Sequence, residues 1–251
     1  MKFETDYQAV GLFDAHHEPY NGVWHPAYQV AREYLFDIKP QVIVIGGDWG
    51  SFDSLSNWNA KKPLLAEDKR YNLEVEYCYD ELFQIANRLH NSRKIFILGN
   101  HEQRAQWYVE KYPAMKEFVN IKKNLKLKEL GFEVVDFNAH IDVGELSWTH
   151  GWYWNKYHAR YNLDEFAGNI LYGHVHHFQS DTKNVHYGKK ELIAHSIGCL
   201  TDRYPDWKGK KPTRFQNGFV TVEYRIDGTF NIQPHLIING EFSYGGYTWR
   251  A

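Results

Sequence analysis

Short apolar runs alternate with helical patterns through the first half of the chain. Residues 8–13, 42–45 and 94–98 are nearly continuous apolar runs, which are typical of strands buried on both faces. Residues 25–37 and 64–90 instead repeat their apolar side chains at helical spacing. The order strand, helix, strand, helix, strand predicts parallel strands joined by right-handed crossovers, as in α/β proteins.

The pattern changes near residue 130, where short strand-like segments begin to dominate. Residues 103–129 have a polar helical pattern that Pro113 interrupts, and a second helical segment covers about 155–167. Strands are predicted at 132–137, 140–143, 146–149, 170–172, 185–197 and 218–236, with a hairpin turn at Asp227-Gly228. We expect a single domain over residues 1–251, in which an αβ half of about 1–130 packs against a β-rich half of about 131–251.

The composition is that of an ordinary globular protein, with 43% hydrophobic and 24% charged residues. Aromatic residues reach 17%, which a core can absorb, with a Tyr/Trp-lined cleft as the alternative. The net charge of −2 does not predict high-affinity, non-specific binding of nucleic acid. A nucleic acid that is handled only locally, at one site, stays compatible with this charge.

The sequence predicts a reducing, cytoplasmic location. Cys78 and Cys199 lack CxxC partners, so we expect buried free thiols rather than disulfides or a zinc knuckle. The N-terminus lacks the apolar core of a signal peptide, and no apolar run approaches the roughly 18 residues of a membrane span. No segment predicts an obligate protein partner.

Each of the first three predicted strands leads into side chains that can bind a metal ion. Asp14 and His16 follow the first strand, Asp48 follows the second, and Gly99-Asn100-His101-Glu102 follows the third. Ligands of parallel sheets bind at the carboxyl ends of the strands, and buried Asp and His without partners are costly, so a shared site is expected. The candidate metal ligands from both halves of the chain are Asp14, His16, Asp48, Asn100, His150, His174 and His176.

The types of these residues indicate divalent metal ions. Asp, His and Asn without a thiolate suit manganese, iron, zinc or nickel. Asp14 and His16 lie two apart on extended chain and so face the same way, and His174 and His176 repeat that spacing. Seven ligands exceed what one ion needs, so two ions that share the carboxylate of Asp48 fit better.

Five short motifs occur in a fixed order along the chain. They are Asp14-Ala15-His16, Gly46-Gly47-Asp48, Gly99 to Glu102, His150-Gly151 and Gly173 to His176. Together they resemble the motif set of the calcineurin-like metallophosphoesterases, over roughly residues 8–177. The segment from His150 to Arg160 and the tail from Ser196 also resemble small phage and bacterial metallophosphatases.

The resemblance implies a four-layer αββα sandwich of two mixed β-sheets flanked by helices. It implies that Asp48 and a hydroxide bridge two metal ions and that His101 is the catalytic histidine. The other implied ligands are Asp14, His16 and His176 for the first ion and Asn100, His150 and His174 for the second. The implied reaction is hydrolysis of a phosphate ester by the bridging hydroxide. Manganese is the leading metal, with iron, zinc, nickel and cobalt as alternatives.

One position departs from the family pattern. Many members have an aspartate three residues after the Gly-Asp motif, but here that position is Ser51, and Asp53 comes two residues late. The departure argues against a phosphoprotein phosphatase. The residue that orients the His101 imidazole stays open, with Glu102 and Asp14 as the candidates.

Basic residues near the motifs are candidate contacts to a substrate phosphate. They are Arg104, Lys156, His158 and Arg160, and the alternative for the last three is a solvated helix face. The loop from Arg203 to Phe215 mixes basic side chains with aromatic ones such as Trp207, which suits nucleotide stacking. This loop favours phosphodiesters of nucleotides or nucleic acid as substrates. The alternatives are a small-molecule phosphomonoesterase and a non-catalytic binding module, and the complete ligand set disfavours the module.

Overall fold

The structure, a computed structural model, describes residues 6–19, 22–57, 64, 67–186, 190–205 and 208–251. Trp207 of the predicted nucleotide-binding loop, residues 58–63 and residues 187–189 lie outside the described residues. Two large mixed β-sheets, the helices that flank them and a small C-terminal hairpin make up the described part, so the predicted α/β fold class is confirmed.

Four parallel strands form the centre of the first sheet. They are β1 (Tyr7–Leu12), β2 (Val42–Ile45), β3 (Arg93–Ile97) and β4 (Phe132–Val135), which lie side by side in that order. Antiparallel β10 (Gly218–Tyr224) and β11 (Phe230–Leu236) extend the sheet beyond β1. The turn at Asp227-Gly228 joins these two strands, as the sequence predicts.

The second sheet comes from the chain that follows β4. Its strands are β5 (His140–Val143), β6 (Leu146–Thr149), β7 (Ile170–Tyr172), β8 (Gln179–Val185) and β9 (Lys190–Ser196), in the spatial order β5-β6-β7-β9-β8. β6, β7 and β9 are parallel, and β5 and β8 are antiparallel edges. The carboxyl ends of β6 and β7 therefore lie at one edge of this sheet.

Alternate residues of the central strands pack into two different cores. Val44 of β2 faces the second sheet and belongs to a buried cluster with Trp148 of β6 and Leu171 of β7. Its neighbour Ile45 faces the helices, because successive side chains of a strand point to opposite faces. This alternation stacks the two sheets face to face, which gives the αββα sandwich.

Helices cover the two outer faces. α1 (Pro26–Ile38), α2 (Tyr71–Arg88), α3 (Asn100–Lys111) and α4 (Ile121–Asn124) all contribute to the buried cluster on the outer face of the first sheet. α5 (His158–Phe166) packs Leu163 against Ile170 and Tyr172 of the second sheet. A C-terminal hairpin of β12 (Glu241–Tyr244) and β13 (Tyr247–Arg250) contacts α1.

The structure places two helix starts differently from the sequence prediction. α2 begins at Tyr71, seven residues after the predicted start, and α3 begins at Asn100 rather than at residue 103. The predicted helix over 103–129 is broken near Pro113 by a short 3-10 turn. In the described part of the chain, the helices are too short or too polar to cross a lipid bilayer.

Candidate metal centre

The carboxyl ends of strands from both sheets meet at one place and bring the seven candidate ligands together. β1, β2 and β3 supply Asp14, His16, Asp48 and Asn100, and β6 and β7 supply His150, His174 and His176. Within three overlapping groups the possible ligand atoms lie within 4.8 Å of one another. These groups are Asp14, His16 and His176; His16, Asp48 and His101; and Asp48, His150 and His174.

The two aspartates are arranged in the same way. Asp14 accepts a hydrogen bond from the backbone N–H of His174 through Oδ2, at 2.9 Å, and Asp48 accepts one from the N–H of His101 through Oδ1, at 2.8 Å. Each carboxylate thus fixes a neighbouring loop with one oxygen and turns the other into the cluster. Asp14 Oδ1 is buried and accepts no hydrogen bond from the described residues, a costly state for a carboxylate.

Imidazole nitrogens surround the two free carboxylate oxygens. Oδ2 of Asp48 lies 3.4 Å from Nε2 of His150 and 3.7 Å from Nε2 of His16. Oδ1 of Asp14 lies 3.5 Å from Nε2 of His176, which in turn lies 3.1 Å from Nε2 of His16. Ring nitrogens and carboxylate oxygens that converge in this way make up a donor set for divalent cations.

Asn100 and His150 approach the cluster together. The carbonyl oxygen of the Asn100 side chain lies 3.1 Å from Nε2 of His150. Nδ1 of His150 pairs at 3.0 Å with the backbone carbonyl of Gly46, which fixes the ring and leaves Nε2 directed at the cluster. A backbone carbonyl in this role is a common device for orienting a metal-binding imidazole.

Five of the seven candidate ligands have left-handed backbone conformations. The φ angles are +52° for Asp14, +45° for His16, +49° for Asp48, +69° for His174 and +61° for His176. Such angles cost non-glycine residues about 1–3 kcal/mol each, and they concentrate at functional sites. The strained backbone at these five positions therefore orients the candidate ligands toward the cluster.

Two motif glycines allow the loops to come close enough. A Cβ at Gly99 would lie 2.2 Å from Oδ1 of Asp48, and one at Gly47 would lie 2.5 Å from Nδ1 of His150. Gly47 also has a φ of +95°, which side chains rarely permit. Both positions require glycine because a candidate ligand occupies the space.

The histidines of the cluster fall into two groups, those whose pKa is lowered and those whose pKa is raised. Burial lowers the pKa of His174 to about 4, and burial together with His101 holds the pKa of His16 well below its usual range. Burial opposes charge on His150 and His176 as well, but Asp48 and Asp14 outweigh it and raise these pKa values to about 9 and about 10. Coordinated imidazoles must be neutral, so metal binding would displace the two protons that these rings hold.

Ser51 and Arg104 orient His101, which corrects the sequence expectation that Glu102 or Asp14 does so. Nδ1 of His101 pairs with the backbone carbonyl of Ser51 at 2.7 Å. Arg104 donates to the same carbonyl at 2.7 Å and through Nη2 to Nε2 of His101 at 3.1 Å. A second Arg104 contact, to Asp53 Oδ1 at 2.7 Å, fixes the guanidinium. Burial lowers the pKa of His101 to about 4, which agrees with a neutral ring that donates at Nδ1 and accepts at Nε2.

Glu102 has a structural task in the same loop. Its carboxylate accepts hydrogen bonds from the backbone N–H groups of Gly99 at 2.8 Å, Asp48 at 2.9 Å and Trp49 at 2.8 Å. The contact to Gly99 caps the first turn of α3, and the other two join that turn to the loop after β2. Burial, and after it the charge of Asp48, raises the pKa of Glu102 to about 7.

Three of the four predicted substrate contacts are engaged with other residues outside the cluster. His158 is fully buried, and its two ring nitrogens pair with the Tyr172 hydroxyl at 2.7 Å and with His177 at 3.0 Å. Arg160 is exposed on α5 and pairs with Asp164 and Asp181. Lys156 is exposed with its ammonium 5.1 Å from the centroid of the Tyr157 ring. Arg104 reaches the cluster, but through His101.

Neither protein-family models nor curated proteins match this chain. What the chain can do therefore has to be inferred from the geometry and chemistry of its own residues.

Sequence reasoning missed the roles of Ser51 and Trp154 beside the cluster, whereas it named Phe215 as part of the predicted stacking loop. The Ser51 carbonyl is a backbone group, and no residue type signals it. Trp154 lies beside His174 and Phe215 beside His176, with ring centroids 5.8 Å and 4.4 Å apart. The aromatic residues that follow His150 were a signal that could have pointed to Trp154.

Proposed function

We propose that this protein is a metal-dependent phosphoesterase that hydrolyses phosphate esters with two divalent ions. The observation that carries the proposal is the pair of buried carboxylates. Asp14 and Asp48 each fix a loop with one oxygen and present the other to facing imidazoles. The order of the motifs, which resembles that of calcineurin-like metallophosphoesterases, supports the same conclusion.

The donor set fits two divalent ions. Asp14, His16 and His176 would hold one, Asn100, His150 and His174 would hold the other, and Asp48 would contact both. A cation held there would satisfy the orphaned Oδ1 of Asp14 and the facing nitrogens of His16 and His176. When bound, such ions supply Lewis acidity, which lowers the pKa of a water molecule to near neutral and offsets the charge on phosphate oxygens.

His101 is the residue that meets the substrate in this proposal. Its Nε2 lies 3.9 Å from Oδ2 of Asp48, at the partly exposed side of the cluster. The Ser51 carbonyl holds Nδ1 and Arg104 donates to Nε2, so Nε2 would have to exchange its Arg104 contact for a proton from solvent before donating to the leaving oxygen or to a phosphate oxygen. General acid catalysis of this kind typically contributes about 10²–10⁴-fold.

Phosphodiesters are the leading substrates in the proposal, and phosphomonoesters are the alternative. A non-catalytic module on the same fold would not need His101 to be held by both Ser51 and Arg104. We therefore put catalysis ahead of binding alone.

The proposal is tested by hydrolysis of bis-p-nitrophenyl phosphate and p-nitrophenyl phosphate before and after metal removal. We expect chelation to abolish activity and Mn²⁺ to restore it. His101→Ala should lower kcat by about 10²–10⁴-fold while keeping the metal content, because the proposed ligand set does not include His101. His90→Ala, which changes an exposed histidine after α2, is the control. A metal-replete protein that cleaves neither ester would refute the proposal.

Arg104 should act on the rate through His101. Arg104→Gln removes the contacts to Ser51 and His101, so we expect kcat to fall roughly 10- to 100-fold with unchanged KM and metal content. Arg104→Lys keeps the charge but cannot bridge both groups, and its rate should stay closer to that of Arg104→Gln than to wild type. Arg160→Gln, on the surface of α5, is the matched control. A rise in KM alone would instead make Arg104 a substrate contact.

A further inference from the structure

An exposed tryptophan stands at the rim of the metal cluster. Trp154 is 75% exposed, and its ring lies 5.8 Å from the ring of His174, centroid to centroid, at a near-perpendicular angle. Single exposed aromatic residues occur on many protein surfaces. This one differs because its ring contacts that of His174, a candidate metal ligand.

The neighbours of Trp154 fix its loop in place. Trp152 donates through Nε1 to the backbone carbonyl of Asn138 at 3.1 Å, and Tyr153 packs against Tyr161 with ring centroids 4.6 Å apart. Trp154 is thus held between two anchored residues with most of its own ring in solvent. A ring that is already positioned loses little conformational entropy when a planar group stacks on it.

A second part of the rim carries positive charge. Nζ of Lys208 lies 4.1 Å from the centroid of the Phe215 ring, and the Phe215 ring lies 4.4 Å from that of His176. Gln216 fixes this segment, since its N–H donates to the carbonyl of His176 at 2.8 Å and its side-chain oxygen accepts from the N–H of Phe178 at 3.0 Å. The ammonium of Lys208 is therefore held near the cluster.

Arg214 adds a second cation to the same segment. It is exposed and directly precedes Phe215, whose ring lies 4.4 Å from that of His176. An exposed indole and two cations at one rim match the two parts of a nucleotide chain, the planar base and the phosphate. A small phosphomonoester would use neither.

We propose that this rim is a subsite for single-stranded nucleic acid, in which a base stacks on Trp154 and two phosphates beside the scissile one contact Lys208 and Arg214, one each. The inference rests on the proposed phosphoesterase function, because the stacked base belongs to the ester at the cluster. Stacking on an aromatic residue strengthens binding roughly 5- to 150-fold per base. Two phosphate contacts give a slope of log affinity against log salt of only about −1.4, which suits a chain of net charge −2.

The test compares a short oligothymidylate with an abasic oligonucleotide of the same length. Both are bound to the Mn²⁺-loaded His101→Ala protein, so that cleavage does not interfere. We expect the oligothymidylate to bind at least about tenfold more tightly. Trp154→Ala should remove this preference, and Trp154→Phe should keep part of it.

Lys208→Gln should weaken both oligonucleotides alike and reduce the salt slope by about 0.7. The matched controls lie elsewhere on the surface. Tyr247→Ala changes an aromatic residue that is 72% exposed on β13, and Lys111→Gln changes a lysine whose ammonium lies 5.3 Å from the centroid of the Tyr112 ring. Neither control should alter the base preference or the salt slope.

The outcomes separate the subsite from the proposed function. Equal binding of the two oligonucleotides, or equal losses for both in Trp154→Ala, would overturn the subsite even where the protein hydrolyses bis-p-nitrophenyl phosphate with Mn²⁺. A base preference that Trp154→Ala abolishes, in a protein that hydrolyses no ester, would support the subsite and overturn the phosphoesterase proposal instead.

Discussion

Replacing Asp48 with asparagine should lower the number of bound divalent ions from two to at most one and reduce kcat about a thousandfold or more. Oδ1 of Asp48 accepts from the N–H of His101, and Oδ2 faces Nε2 of His150 at 3.4 Å and of His16 at 3.7 Å. Asparagine has the same shape and can keep the first contact. It removes the negative charge that the two proposed ions would share.

The structure itself shows how much the site depends on that charge. Burial opposes ionisation of Asp48, but His150 and His101 outweigh it and hold the pKa of this carboxyl well below its usual range. A neutral amide leaves the His150 ring, whose pKa Asp48 raises, without its counter-charge. We therefore expect Asp48→Asn to lower metal affinity more than it lowers folding stability.

The measurement is metal content per chain, with kcat for bis-p-nitrophenyl phosphate determined on the same preparations. Asp136→Asn is the control, because it changes an exposed carboxylate that pairs with Lys122 on the surface. A variant Asp48→Asn that still holds two ions and turns over within tenfold of wild type would exclude Asp48 as the shared ligand.

The strands were predictable because burial leaves a strong pattern in the sequence. β2 matches its predicted bounds of 42–45, since a strand covered on both faces is apolar at every position. Val44 and Ile45 enter different cores although the sequence gives them the same character. The two-sheet arrangement therefore needed the motif resemblance, because the apolar pattern does not say which layer covers each face.

The start of α3 was predictable in principle and was missed. Glu102 stands three residues after Gly99, the spacing of a capping box, and its carboxylate caps the N–H of Gly99. Because the N-cap residue of α3 is Gly99, the Ser, Thr, Asp or Asn that usually marks a helix start is absent. Asn100 and His101 consequently lie in the first turn of a helix, with their side chains on different sides of it.

The expectation that ligands bind at the carboxyl ends of parallel strands identified the candidate ligands. It could not predict which groups contact those ligands. The carbonyl of Ser51 orients His101, and a backbone oxygen leaves no trace in residue type. The left-handed backbone angles at Asp14 and His174 could not be predicted either, because residue type alone does not determine φ. The rim residues Trp154 and Phe215 depend on loop paths that only tertiary contacts determine.

Glu102 links the loop after β2 to the first turn of α3, because four backbone N–H groups donate to its carboxylate. Oε2 accepts from Gly99 and Asp48, and Oε1 accepts from Trp49 and, at 3.4 Å, from Gly50. In Glu102→Gln one oxygen becomes an NH₂ group, and the retained oxygen cannot serve all four donors. Each buried donor left unsatisfied costs about 1–3 kcal/mol, so the free energy of unfolding of the metal-free protein should fall by about 2–5 kcal/mol.

The same change should weaken Mn²⁺ binding roughly 10- to 100-fold, because the loop that carries Asp48 loses its anchor. Glu74→Gln is the matched control. Glu74 is also fully buried, and it accepts from the N–H groups of Asp53 at 2.8 Å and Ser54 at 3.3 Å, farther along the same loop. It should lose stability in chemical unfolding without losing Mn²⁺ affinity in calorimetric titration. Equal losses of Mn²⁺ affinity in the two variants would mean that Glu102 supports the fold generally and not the candidate metal centre.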